Sequence, residues 1–365
     1  MKKRFTILMI SVFIPIFIAC NSLPKTDNYF SFPVQEIPLP ELEENLVMDL
    51  MPECFSGFSS FWIEDSLFLG SLGMAAEDIV MTADIFSGVE TGRFGKRGRG
   101  PAEYLSPVAY DLHDGHFLVF DIMTAKVSDI DVKKSIKNGT TITSQIYNLE
   151  TGEYAYLPLA SIHRKNDTLL AFNTGNDPMS QDLYNVPDYV SFDLSSGEMK
   201  EDYGLFKSIS LVNKKKEREF VDVKSRLALT DCVLPDNNKI CFVMKFIPQI
   251  NIFNPETGEC HGFRVSELSA NSIKPEYLHY NSVCSYGTKV FALYVGAQMN
   301  QANQAQITTE LHQFSIEGKL LRRFLLDGTF VDCRAGKSGL YLSKAVYGGK
   351  DVALYRVNWE TLGTI

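Results

Sequence analysis

The chain has 365 residues, of which 45% are hydrophobic and 22% charged, and it carries a formal charge of -9. Removing Lys2, Lys3 and Arg4 with an N-terminal leader takes away three positive charges and brings the total to -12. A surface that acidic disfavours nucleic acid and anionic lipid as partners, and no nucleic-acid partner is expected.

The chain opens with "MKKRFTILMISVFIPIFIACNS", a basic start followed by an apolar run ending at Ala19-Cys20. This is the pattern of an export signal over residues 1–19, too short and wrongly flanked for a spanning helix. The run Phe17-Ile18-Ala19-Cys20 resembles a bacterial lipobox, with Phe17 where leucine is usual. The expectation is lipidation at Cys20, a tether over 20–31, and a propeller over 32–365. Membrane attachment then runs through the lipid anchor, and the location is the cell envelope, on the outer membrane, with its face undecided. The cysteines after Cys20 are sparse and show neither CxxC nor Cys/His zinc spacing.

From residue 58 onward one pattern recurs six times: an apolar stretch, a short polar turn and a second apolar stretch, as in "FSSFWIEDSLFLGS" and "PVAYDLHDGHFLVFD". Each reads as a β-hairpin. The first apolar residues after the six turns are Leu67, Phe117, Leu169, Ile240, Val290 and Leu340, spaced by 50, 52, 71, 50 and 50. A second landmark, a turn of the Glu-Thr-Gly type, shares the period in "NLETGE", "DLSSGE" and "NPETGE". Four strands in about fifty residues, repeated, is the signature of a propeller blade, so the fold class is all-β: a six-bladed β-propeller with four-stranded antiparallel blades. The register puts Ser60, Tyr110, Ile162, Cys232, Cys284 and Cys333 on the innermost strands. It also sets Cys232 opposite Cys241, where a cross-strand disulfide would strain the preferred geometry. The 71-residue spacing points to an insertion, with a short exposed helix at Leu211 to Phe220. Because the last repeat lacks a full fourth strand, a segment at Phe30 ("FSFPVQEI") or Asn45 ("NLVMDLM") should close the ring.

Between the first two repeats lies "FGKRGRGPAEY", Phe94 to Tyr104. No helix follows it, so it does not fit a phosphate-binding loop. Gly98, Gly100, Pro101 and Glu103 are read as the structural part of a blade connector. Arg97, Arg99 and Tyr104 are the candidate ligand-binding residues, the arginines for an anionic group. Together with the lipobox and the six repeats, Gly98, Gly100, Pro101, Glu103 and Tyr104 resemble the signature of the six-bladed, TolB-like propeller lipoproteins of Bacteroidota, with Ala102 where glycine is common. The resemblance implies fold and location and assigns no reaction.

The longest connections, at Asn173, Gly204 to Arg226, Gly296 and the Phe94 stretch, fall on one face, with the Asp131 segment on the other. Long loops on a rigid scaffold suit binding. The six histidines lack metal spacing and are read as turn or surface residues. Asp231 and Asp332 occupy matching places, either holding a channel cation or accepting hydrogen bonds. No Gly-x-Ser-x-Gly elbow is present. The sequence therefore names no catalytic residue, no metal ligand and no cofactor. It favours a non-catalytic binding or scaffold protein for a glycan, peptide or protein ligand. The alternative is a propeller hydrolase or lyase, metal-dependent or not, with its active site at the channel mouth.

Overall fold

The computed structural model describes residues 29–44, 46–52, 58–100, 102–150, 157–175, 187–207, 227–235, 239–271, 277–298, 307–345 and 352–363. The leader, Cys20, Pro101, and the Leu211 to Phe220 segment lie outside them.

Three short strands come first: β1 (Val34–Ile37), β2 (Leu42–Glu43) and β3 (Asp49–Leu50). Six antiparallel sheets follow in a ring. Blade 1 holds β4 (Phe58–Glu64), β5 (Leu67–Leu72), β6 (Asp78–Asp84) and β7 (Glu90–Lys96). Blade 2 holds β8 (Pro107–His113), β9 (His116–Asp121), β10 (Lys126–Asp131) and β11 (Thr143–Asn148). Blade 3 holds β12 (Leu159–Lys165), β13 (Thr168–Asn173), β14 (Asp188–Asp193) and β15 (Met199–Asp202). Blade 4 holds β16 (Leu229–Val233), β17 (Ile240–Met244), β18 (Gln249–Asn254) and β19 (Glu259–Val265). Blade 5 holds β20 (Tyr277–Tyr286), β21 (Lys289–Gln298), β22 (Glu310–Ser315) and β23 (Leu320–Leu325). Blade 6 holds β24 (Phe330–Gly336), β25 (Gly339–Ala345) and β26 (Val352–Val357), with β3 as its fourth strand.

Burial explains the residue pattern. Second strands are covered on both faces by neighbouring blades, so they read as continuous apolar runs: every residue of β17 (ICFVM) is buried. The outermost strand β15 (MKED) is exposed throughout and reads as polar. The innermost strands carry Ser60, Tyr110, Ile162, Cys232, Cys284 and Cys333 as expected, on β4, β8, β12, β16, β20 and β24.

The N-terminal segment closes the ring and does more. Leu50 and Asp49 of β3 pair antiparallel with Tyr355 and Arg356, and Arg356 Nη2 meets Asp49 Oδ2 at 2.8 Å. The closing strand comes from the Asn45 candidate. The Phe30 segment instead bridges Phe206 of blade 3 and runs on as β1, parallel to β19, and β2 adds a parallel fifth strand to blade 5. One strap therefore binds four consecutive blades.

The sequence reading missed a helix, α1 (Val132–Asn138), in the Asp131 connection. Its signals were present: Asp131 caps Lys134 N at 2.9 Å, and Gly139 ends it with a φ of 62°. α1 packs beside β7, where Gly95 N donates to Thr141 Oγ1 at 2.8 Å.

Candidate functional site at the channel mouth

In an antiparallel blade the crossings between blades and the second-to-third turns share one face. First strands start there and descend into the hub, so the early residues of β4, β8, β12, β16, β20 and β24 form the mouth of the central channel. A cavity of about 730 Å³ lies in the channel, lined by early and late residues of the first strands of all six blades.

The stretch Phe94 to Tyr104 sits between blades 1 and 2. Tyr104 N donates to Lys96 O at 3.0 Å and Gly98 N to Tyr104 O at 3.1 Å, folding the motif back on itself. The Glu103 carboxylate accepts from Gly100 N at 2.6 Å. A Cβ on Gly98 would lie 2.0 Å from Glu103 Oε2, and one on Gly100 would lie 2.9 Å from Glu103 Cδ. The glycines are thus required by a buttressing carboxylate. Of the three candidate ligand-binding residues, only Arg99 is exposed. Arg97 turns its Nη2 to the carbonyls of Leu72 and Gly73, at 3.3 and 3.4 Å. Tyr104 is wholly buried, with Lys126 Nζ 4.8 Å from its ring centroid, and burial pushes its hydroxyl up to about 12. Arg97 and Tyr104 are partners in an isolated parallel bridge, with Arg99 on the segment between them. Of the other long connections, 176–186, 208–226 and 299–306 lie outside the described residues.

The channel wall joins Asp231, one of the two aspartates the sequence marked, to two groups that it did not, Asp111 and His163. The inner strands of blades 2, 3 and 4 present Asp111, His163 and Asp231. His163 Nδ1 lies 3.8 Å from Asp111 Oδ1, and its Nε2 lies 3.3 Å from Asp231 Oδ1. Burial alone would lower the His163 pKa, but Asp231 and then Asp111 outweigh it and hold it well above the usual histidine range. The two carboxylates thus favour the charged form of the imidazole. Asp231 feels the reverse: burial raises it, and His163, Tyr189 and Ser161 together bring it below the ordinary value. Its Oδ2 accepts from Ser161 Oγ at 2.7 Å and from Tyr189 Oη at 2.5 Å.

Asp332 repeats that arrangement two blades on, accepting from Ser282 Oγ of the preceding blade and facing Arg334 Nη2 at 3.2 Å. Arg334 Nε in turn donates to Phe61 O of blade 1 at 2.8 Å. Asn281 Nδ2 ties blade 5 to Val331 O of blade 6 at 2.6 Å, and Ser285 Oγ ties it to Val233 O of blade 4 at 2.6 Å. Both aspartates at matching places are thus seam ties, with their oxygens engaged by protein donors. Cys232 and Cys241 are ladder partners and are free thiols.

The default reading of the histidines needs correction for half of them. His113, His116 and His261 are partly or fully exposed, whereas His163, His279 and His312 are nearly or wholly buried. His312 bonds Tyr280 and Glu310, each at 3.0 Å. The ring nitrogens of His279 have no hydrogen-bond partner among the described residues, and burial lowers its pKa to about 3, so it packs as a neutral ring. The signal for His163 was positional: it follows the inner-strand residue Ile162, as Asp111 follows Tyr110 and Arg334 follows Cys333.

One cation on this wall stands apart. Lys245 directly follows β17 and lines the cavity, yet its ammonium makes no hydrogen bond or ion pair with the described residues. Burial lowers its pKa, opposed by Asp332.

No known family profile matches the sequence, and no curated protein does. Solved structures are similar in fold. A member of the DUF4221 family from Bacteroides vulgatus superposes with a TM-score of 0.59 at 12% identity, covering 86% of this chain and 97% of that one. A protein from Bacteroides fragilis, described as a candidate exported protein, gives 0.51 at 10% identity, covering 90% of this chain and all of that one. The six-bladed architecture of this chain is similar in fold to these proteins from Bacteroides.

Proposed function

We propose that this protein is a non-catalytic binding propeller of the cell envelope, held to a membrane through Cys20, which takes a small ligand into the mouth of its channel. The observation that carries this reading is the cavity of about 730 Å³, within the size range of ligand sites, walled by inward-facing polar groups from a rigid ring. The same wall argues against a hydrolase. A general base must be unprotonated near the working pH, and the carboxylates of Asp231 and Asp111 shift His163 toward its charged form. Asp231 and Asp332 are saturated by donors from neighbouring strands, and no serine or cysteine here is activated by a free imidazole. Arg97 and the motif glycines serve as scaffold in this reading, and Arg99 adds positive charge to the crossing face.

The test is a thermal-shift screen of the folded mature protein against sugars, sugar acids, amino acids and short peptides. It is repeated on Ser60→Trp and Thr230→Trp, which fill the cavity from two blades. A ligand that stabilises the parent and neither filled variant supports the channel site. Ligands that stabilise all three equally bind elsewhere and refute it.

A further inference from the structure

Lys245 is the least expected residue on the channel wall. β17 is apolar throughout, and a lysine at its end would ordinarily reach for solvent or a carboxylate. Here the backbone decides the direction. Lys245 N donates to Ala228 O at 2.9 Å and Lys245 O accepts from His279 N at 2.7 Å, so the residue is clamped between the start of its own blade and the next. Lys245 lines the cavity together with Asn281, Ser282 and Asp332. Asp332 acts on it electrostatically but is already engaged by Ser282 and Arg334. A half-buried ammonium left without an anion costs free energy, because water is removed and nothing replaces it.

We infer that Lys245 is the anchor for the carboxylate of a small hydroxylated acid, a sugar acid in chemical class. The inference rests on the channel-binding reading above and specifies what enters. One unpaired cation matches one negative charge. Sites for phosphate dianions gather bidentate arginines or helix N-terminal amides, whereas the other cation beside Lys245, Arg334, is committed to Asp332 and Phe61 O. The wall also carries the Thr230 hydroxyl and the amide oxygen of Asn281, whose Nδ2 is given to Val331 O, and these neutral groups suit a polyol. Because the wall is formed before binding, little ordering is required when ligand enters.

The experiment measures binding of D-glucuronate, D-glucose and inorganic phosphate by calorimetry to the parent, Lys245→Met and Ser60→Trp. Methionine keeps the length of the stem and removes the charge. A charge-assisted bond separates ligands by roughly 10- to 100-fold in affinity. The expected result is that D-glucuronate binds the parent tighter than D-glucose by about that factor. In Lys245→Met the preference should vanish while D-glucose affinity holds, and in Ser60→Trp both sugars should be lost. In the parent, 13C-methyl-labelled Lys245 should titrate at higher pH once D-glucuronate is bound, a readout that a purely packing role would not move. If D-glucuronate and D-glucose bind alike in the parent and both are lost in Ser60→Trp, the channel reading stands and the carboxylate anchor is overturned. Tighter binding of phosphate than of D-glucuronate also overturns it. If neither sugar binds, or both still bind Ser60→Trp, the anchor and the channel reading fall together.

Discussion

The strap of residues 30–51 offers the most direct test of how the ring is held. Phe30 is 1% exposed, and its ring centroid lies 5.0 Å from Phe32 and 6.1 Å from Phe206. Ser31 N donates to Leu205 O at 3.0 Å beside it. Replacing Phe30 with alanine removes a buried aromatic ring from a site too well packed to collapse, a loss of about 3–5 kcal/mol. For a chain of this size the unfolding entropy converts each kcal/mol into roughly 1–2 °C, so the midpoint should fall by about 4–8 °C. Deleting the whole strap also removes buried Ile37 and Met51, the fourth strand of blade 6 and the added strands of blades 4 and 5. Each large apolar side chain exposed costs about 1.5–3 kcal/mol, and the exposed sheet edges add to this. Together these losses approach a typical domain's entire stability of about 5–15 kcal/mol, so the truncated protein should be recovered unfolded or aggregated. The assay is calorimetry of the mature protein, Phe30→Ala, the truncation and the surface control Lys200→Ala. A Phe30→Ala midpoint within a degree of the control, or a truncation that melts with the parent, would refute the view that the strap holds the ring closed.

Three further outcomes follow from other parts of the molecule. Gly98→Ala should displace the Glu103 carboxylate from Gly100 N and lower stability by about 1–3 kcal/mol in urea titration. Arg99→Ala, on an exposed side chain, should be silent, and Arg97→Ala, which abandons two carbonyls, should fall between. Burial, opposed by the Leu205 and Tyr189 amides and reinforced by Asp202, raises the Asp188 pKa to about 7. The folded state therefore keeps a proton that the unfolded chain releases, and stability drops as pH climbs from about 4 to about 7. Asp188→Asn should flatten that slope in urea melts at pH 5, 6, 7 and 8, and an unchanged slope would place the titration elsewhere. Cys20→Ser should shift the protein from the membrane to the soluble fraction or leave its leader uncleaved, as read by fractionation and mass; unchanged retention and processing would count against lipidation.

The fold was legible because its causes are periodic. A strand buried on both faces must be apolar throughout, its turn must be polar, and blades repeat both, so Leu67, Phe117, Leu169, Ile240, Val290 and Leu340 mark the ring before any coordinate is known. The need for a closing strand was legible too, since the last repeat stops after Val352–Val357. The added strands were not, because Val34–Ile37 and Leu42–Glu43 are too short and too polar for their pattern to show which edge they join. The site was harder to see for a physical reason. Asp111, His163 and Asp231 are 52 and 68 residues apart in the chain, and only the register of the inner strands places them side by side. The Phe94 to Tyr104 stretch drew attention through its arginines, yet a guanidinium turned to backbone carbonyls looks the same in sequence as one facing a ligand.

The seams show why Lys245 can be left unpaired. Inner strands of a propeller converge with little room for large side chains, so neighbouring blades are tied there by polar contacts: Glu64 to Gly115 N, Asp111 to Arg164 N, Ser161 to Asp231, Ser285 to Val233 O, Ser282 to Asp332 and Arg334 to Phe61 O. Every one of the six seams has at least one such tie, and those ties engage Asp231, Asp332 and Arg334. Lys245 directly follows a second strand and takes no part in these ties. Its loss should therefore leave the ring intact, and that independence allows Lys245→Met to separate ligand binding from folding.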